Sequence, residues 1–397
     1  MVFSLLCTFI FINIFSFLVS CIVFGNDFLS CLFLSGGASR FTDFTDNIIQ
    51  CSGYDAFTKF EIIYPPIVAL FFLNISKALS PVFSNFLYDD RINLVKSVTC
   101  NVLYFTFLAI SLVIIAIAIL LILKEKRLPL RIFYLVFLLT AYPMFYTYER
   151  GNIMIFALGL VLLFLFFYDS KSKWARHFSL ISLALAISIK IYPIVFCLYF
   201  LNRKDIKSLF VCGVYTIILV FVPFAFYDGL NGLLQMINTN LGFAGDSTVD
   251  LTSRVFSLNY LLSYLNVGSN LFTKFVQIGN ILVLVICSLV TQSKAKVYAC
   301  AGCIIMLLDT SSRIYSSIFL IPSFLMLLKE SPTLENMFLL GGFSLIFCFN
   351  GAYDFVAQAN GYCWSYLIGS GILMVFIAIV DPIRAYRRKT EVKNGAS

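Results

Sequence analysis

Between residues 98 and 123 the chain runs without one charged side chain. About 20 apolar residues in a helix span the roughly 30 Å hydrocarbon core of a bilayer, and a helix that is apolar all round belongs in lipid or in the core of a large protein. Runs of the same kind recur from end to end, at 2–24, 130–146, 153–168 and onward, separated only by short polar stretches. Of 397 residues, 60% are hydrophobic and 12% charged, with a mean hydropathy of +0.94; soluble domains carry about 25% charged residues. The sequence describes an all-α, polytopic integral membrane protein, a single domain over residues 1–397 with no separate soluble part.

The net charge of +8 sits in short clusters between the apolar runs: "KEKRLPLR" (124–131), "KSKWAR" (171–176), "RKDIK" (203–207), "KAK" (294–296) and the tail at 384–393. Loops rich in Lys and Arg stay in the cytoplasm, so membrane topology accounts for the charge and nucleic-acid binding is excluded as its reason. These five clusters are assigned to the inside, and the Lys/Arg-poor segments 148–152, 228–270 and 350–361 to the outside. The runs 130–146 and 153–168 then form two spans, with Glu149 and Arg150 at the outer tip between them. A full span over 67–79 would carry "KEKRLPLR" outside, so residues 25–96 read as one large outer loop. That loop contains an interfacial or partly embedded helix after Pro66.

Two stretches, 178–201 and 297–328, lie between inside clusters yet are too short for two ordinary spans. Each has a polar break near its middle, "SIKIYP" around Lys190 and "DTSSRIY" around Asp309 and Arg313. Short helices that reach partway and return satisfy both length and sidedness. Non-helical backbone at membrane depth is tolerated only beside a cavity or inside protein, which makes each break a candidate site lining. The count is about 12 membrane segments, both termini cytoplasmic. The run 2–24 lacks a basic leader and a small-residue cleavage site and reads as a retained first span. The twelve cysteines are mostly small hydrophobes within spans; Cys31, Cys51 and Cys363 fall in or near outer segments, where pairing stays open. No Cys/His cluster or Asp-x-Asp pattern suggests a metal, and none is expected.

Five polar groups converge on the outer side in this topology: Asp43 with Asp46, "YPP" at 64–66, Glu149 with Arg150, Lys190, and Asp309 with Arg313. An ionisable side chain at membrane depth costs several kcal/mol unless paired or solvated. Asp43 and Asp46 share a face if helical. They are either solvated loop acids near Arg40 or a general base able to take a proton from a sugar hydroxyl. Glu149 and Arg150 either keep a hairpin tip out of lipid, with Arg150 pairing Asp46 or a headgroup, or border a cavity; Gly151 permits a tight turn and Asn152 caps the next helix. Lys190 stands in an apolar setting that Pro193 keeps from continuing as a regular helix, and either snorkels or faces the bundle interior. Arg313 is neutralised by Asp309, or joins Lys190 in holding an anionic phosphate.

At these residues the chain resembles glycosyltransferase family 87, polyprenol-phosphate-dependent mannosyl and hexosyl transferases of the C-type superfold (GT-C). The resemblance follows in order "DFTDN" (43–47), "IYPPIVALFF" (63–72), "ERGNI" (149–153), "SIKIYPIVFCLYFLNRK" (188–204), "SLNYLL" (257–262) and "DTSSRIYSSIFLIP" (309–322). "ERGN" stands where relatives often have a Gly-Gln-x-Asn segment, which marks a subgroup and leaves its substrate open. The resemblance implies a GT-C-type fold whose large first outer loop carries an essential aspartate. That aspartate maps to Asp43, which precedes an aromatic residue upstream of "YPP", with Asp46 as the alternative. It implies a sugar carried on a polyprenyl phosphate, transferred with inversion to a hydroxyl of a lipid-linked or membrane-associated glycan, without a nucleotide-sugar site; no cofactor is expected. Lys190, Arg313 and Arg150 are the candidate phosphate ligands, and Glu149, Asn152, Tyr64, Tyr192, Asp309 and Tyr315 the cavity wall around them. The expected partners are membrane lipid, the sugar-bearing polyprenyl phosphate and a glycan acceptor, with the site facing outward from the cell membrane. A secondary transporter or flippase is the competing class; it would show internal repeats with polar groups at mid-membrane.

Overall fold

The computed structural model describes residues 41–60, 62–80, 91–245, 270–308, 314–331, 333–347 and a few within 369–377. The described residues form helices and turns, with no strand among them. The expected first span at 2–24, Cys31, Cys363, the basic tail, and Asp309 and Arg313 lie outside them.

The described residues begin with α1 (Thr42–Gln50), which carries both Asp43 and Asp46, then α2 (Ala56–Lys59) and α3 (Pro66–Leu79). Pro66 opens α3 at the one place where a missing N–H costs nothing. At 14 residues α3 is about 21 Å long, too short to cross alone, and it buries Val68, Phe72, Ile75 and Leu79 on one face. Cys51 is buried with a free thiol.

After α4 (Arg91–Lys96) comes α5 (Val98–Ile122), 25 residues capped by the Ser97 hydroxyl, which accepts from the Cys100 N–H at 3.4 Å. Its buried stripe is Tyr104, Ser111, Ile115, Ala118 and Ile122, while Val102, Phe105, Ile110, Val113 and Ile117 stay exposed. A helix that packs one stripe inward and shows apolar side chains elsewhere is a lipid-facing span.

The next span is bent by 52° between α6 (Leu128–Leu139) and α7 (Tyr142–Arg150). Pro143 has no N–H to offer the Leu139 carbonyl, and the Tyr148 hydroxyl donates to that carbonyl instead at 3.0 Å. The expected loop after Tyr146 is helix as far as Arg150: Glu149 and Arg150 form the last turn of α7, and the chain turns at Gly151. Then follow α8 (Met154–Phe167) and α9 (Lys173–Ile189). At Lys190 the backbone turns extended, φ −146° and ψ 132°, before a 3-10 turn at Tyr192–Cys197 and α10 (Leu198–Asn202).

Next, α11 (Ile206–Phe221) continues through a 3-10 turn to Phe226, giving a second apolar stretch of spanning length, Ile206–Phe226. After α12 (Leu230–Gly245) and α13 (Asn270–Val290), α14 (Lys294–Leu308) is separated from a 3-10 turn at Ile314–Leu320 and α15 (Ile321–Leu327) by the second polar break; α16 (Leu334–Phe347) follows.

Contacts between distant residues show which helix ends lie together. Lys294 pairs with Asp169 at 2.5 Å, Arg176 pairs with Asp205, and Lys329 approaches Glu125 at 4.0 Å. Four of the five basic clusters thus gather at one end of the bundle. Both broken stretches leave this end and return to it. Arg176 and Asp205 flank the first. In the second, Ser323 donates to the Ala295 carbonyl at 2.7 Å. A Cβ on Gly302 would lie 2.5 Å from a Leu320 methyl and 3.1 Å from the Phe319 carbonyl oxygen, so the returning arm packs closely here and a side chain would have to displace Leu320. The first polar break, at Lys190, is the far turning point of its excursion.

Candidate active site

Asp43 lies in the first turn of α1 at the end of the bundle away from the basic clusters. One carboxylate oxygen receives a hydrogen bond from the Arg150 guanidinium, and the other accepts from Asn152 Nδ2 at 2.6 Å. The side chains of the ion pair are 16% and 13% exposed, so it is largely shielded from water.

The sequence "ERGN" builds this arrangement residue by residue. The Glu149 carbonyl accepts the Phe41 N–H at 2.7 Å, which draws the start of α1 onto the end of α7. Arg150 reaches Asp43. Gly151 turns the chain in the left-handed region at φ +66°, and a Cβ there would stand 2.9 Å from Phe44 Cβ and 3.1 Å from Phe41 Cα, so a side chain would push α1 away. Asn152 accepts the Met154 N–H at 3.0 Å, opening α8, while its amide holds Asp43. Capping by Asn152 was legible in the sequence; its second bond was not. The Glu149 side chain is buried.

Residues the sequence reading did not single out complete the support. Tyr104 of α5 donates to the Tyr148 carbonyl and packs its ring 4.2 Å from Phe41 and 5.2 Å from Phe44. A tyrosine inside an otherwise apolar run was the available signal, since its hydroxyl needs a partner in lipid.

A second group forms at the first polar break. The Lys190 ammonium stands 4.2 Å from the centroid of Tyr64 and 5.4 Å from that of Tyr192, so three of the expected cavity residues meet as a cation between two aromatic faces. Beyond the second break, Tyr315 stacks on Tyr146 with centroids 6.0 Å apart, which brings that turn against α7. Asp46 is half-buried on α1.

Between α3, α5, α8 and α9 lies an apolar groove of about 430 Å³, lined by Ile67, Phe71, Leu103, Phe107, Ile153 and Ile189 among others. Two of its lining residues adjoin the polar groups in sequence, Ile153 next to Asn152 and Ile189 next to Lys190.

The sequence profile of glycosyltransferase family 87 matches residues 62–311, well over half of the chain. The chain belongs to this family. It is a membrane glycosyltransferase. No curated protein and no solved structure matches it. The matched segment contains "YPP", "ERGN" and the Lys190 break but begins after Asp43. The carboxylate held by Arg150 and Asn152 is therefore joined to the family 87 segment by the geometry, not by the match. Membership decides between the two classes the sequence left open, in favour of transfer over transport.

Proposed function

We propose that this family 87 chain transfers a hexose, such as mannose, from a polyprenyl-phosphate sugar to a hydroxyl of a lipid-linked or membrane-associated glycan, with inversion. The observation that carries the reading is the Asp43 carboxylate, enclosed and held on both oxygens opposite the basic end. Each carboxylate oxygen has two acceptor sites, and the clamp occupies one on each, leaving positions for an acceptor hydroxyl. Arg150 holds one oxygen in place, and Asn152 fixes the angle of the carboxylate through the other. Asp43 is the general base, with Asp46 as the alternative. Arg150, offered by the sequence as a phosphate ligand, is reassigned to holding that base.

As the sugar leaves its phosphate, negative charge grows on the lipid-anchored oxygens. Cationic donors placed where charge develops stabilise the transition state more than the ground state. Lys190 at the broken helix fills this role, joined by Arg313, and Tyr64 and Tyr192 shield the ammonium from bulk water. The isoprenoid chain of the donor lies in the apolar groove, whose lining includes Ile189, the residue before Lys190. Neither a metal nor another cofactor enters this scheme. The accompanying architecture is a GT-C-type bundle of about 12 membrane segments, with both termini cytoplasmic and the Asp43 end facing outward from the cell membrane.

The test is incubation of the purified protein with radiolabelled polyprenyl-phosphate sugars and membrane extract, with identification of the labelled product. Label appearing in a glycan supports the reading; label remaining on the polyprenyl phosphate with every sugar offered overturns it. Lys190→Ala is expected to raise the donor KM more than the acceptor KM, measured by varying each substrate in turn. Equal changes would remove Lys190 from the phosphate site.

A further inference from the structure

A cavity of about 600 Å³ at the basic end lies far from Asp43, where α8 ends and α9 and α11 begin. Three cations, Arg176, Arg203 and Lys204, and two carboxylates, Asp169 and Asp205, line it with Tyr168 and Ser170. Both carboxylates are already engaged. Asp205 takes the Arg176 guanidinium, the Tyr168 hydroxyl at 2.5 Å and the Ser208 N–H at 3.1 Å. Asp169 takes Lys294 at 2.5 Å, a cation from outside the lining. Arg203 and Lys204 have no carboxylate partner among the described residues.

The turn that presents them is built at a backbone cost. Lys204 has φ +56°, a left-handed conformation that glycine or asparagine adopts with less strain. It is held by the Lys204 N–H to the Leu201 carbonyl at 3.0 Å and the Asp205 N–H to the Phe200 carbonyl at 2.8 Å. On α9 and α11, within a few residues of the lining Arg176 and Asp205, Phe178, Ile206 and Phe210 are exposed, and Trp174 is 86% exposed at the start of α9. An apolar surface beside a cationic cavity, with a tryptophan at the level of the helix ends, matches a molecule with acyl chains and an anionic headgroup.

We propose that this cavity binds the phosphate headgroup of an anionic phospholipid from the leaflet on the basic side. Arg203 and Lys204 contact the phosphate oxygens, and Asp205 keeps Arg176 aimed at the same site. The acyl chains lie along Phe178 and Phe210. A free phosphate shares the headgroup chemistry but has no use for the apolar flank. This site is separate from the transfer chemistry, and its test needs no activity assay.

The purified full chain is placed in phosphatidylcholine nanodiscs containing a minor fraction of phosphatidylglycerol, and retained lipid is counted by native mass spectrometry after release. The wild type retains phosphatidylglycerol; the Arg203→Gln/Lys204→Gln double variant binds it about fivefold more weakly per cation removed. Lys207→Gln, outside the lining, retains it as the wild type does. Melting of the double variant in phosphatidylcholine alone, at the wild-type temperature, shows that it is folded. Equal retention by the wild type and the double variant overturns the proposal. So does displacement of the lipid by millimolar inorganic phosphate, which would make the ligand a soluble phosphate.

Discussion

The two ends of the bundle use the same chemistry, a carboxylate against a guanidinium, for different purposes. At one end Asp43 and Arg150 are 13% and 16% exposed, and Asn152 fixes the carboxylate's second oxygen. At the other, Arg176 and Asp205 are 46% and 18% exposed and Lys294 and Asp169 24% and 52%, beside a third pair, Lys296–Glu335, that is buried. Enclosed pairs are screened little by water and salt, whereas exposed pairs are screened strongly. The Asp43–Arg150 pair therefore holds one carboxylate in a fixed position and direction, as proton transfer requires. The open pairs gather helix ends and leave cations accessible to the membrane surface.

Four substitutions sharpen that contrast. The largest effect is expected at Asp43→Asn, which keeps the shape and removes the base: initial rates with labelled donor fall by about 10²- to 10⁴-fold while the protein still purifies as a folded species. An unchanged rate would transfer the role to Asp46. Arg150→Ala strips the enclosed carboxylate of its partner and is expected to destabilise the fold by about 3 kcal/mol, read from the unfolding midpoint in detergent. Gly151→Ala combines a left-handed alanine with contact against Phe41 and Phe44, for a cost of about 2 kcal/mol, and lowers activity by displacing α1 from α7. A Gly151→Ala variant as stable as the wild type would show that α1 is not seated there.

The smallest effect belongs to the open end. Burial pushes the Asp205 carboxyl up, but bonds from Tyr168 and Ser208 and the Arg176 charge outweigh it, and together they bring it down to about 2. A carboxylate lowered on folding contributes its stability fully above the ordinary value near 4 and loses it as the pH falls toward 2. Asp205→Asn removes that part of the acid sensitivity, and loss of the charged cap costs about 1 kcal/mol. Melting curves between pH 5 and pH 2 measure both. A difference between variant and wild type that stays constant over this range would break the contrast between the two ends.

What the sequence made legible follows from what each signal depends on. Spans such as Val98–Ile122 are visible because hydropathy is local. The return of the chain within 173–202 and 294–327 was legible because the sign of a loop's charge and the length of an apolar run together restrict where the chain can go. The meeting of Asp43 with Arg150 was not, since it joins residues 107 positions apart and depends on α1 being drawn onto α7 by the Phe41 N–H. The last turn of α7 was read as a loop because charge and glycine outweigh the helical pattern in "YERGN". Pro143 was visible as a point of interruption, but the rescue of the Leu139 carbonyl by Tyr148 depends on the angle the bend adopts.

The two excursions have a consequence for how such a chain can change. A unit that leaves and re-enters at the same face makes no net crossing, so residues 173–202 or 294–327 could be lengthened, exchanged or removed without inverting anything downstream. Loss of α5 would turn every later loop to the opposite face. Variation within these two excursions is thus separated, by the path of the chain itself, from the orientation on which the rest of the molecule depends.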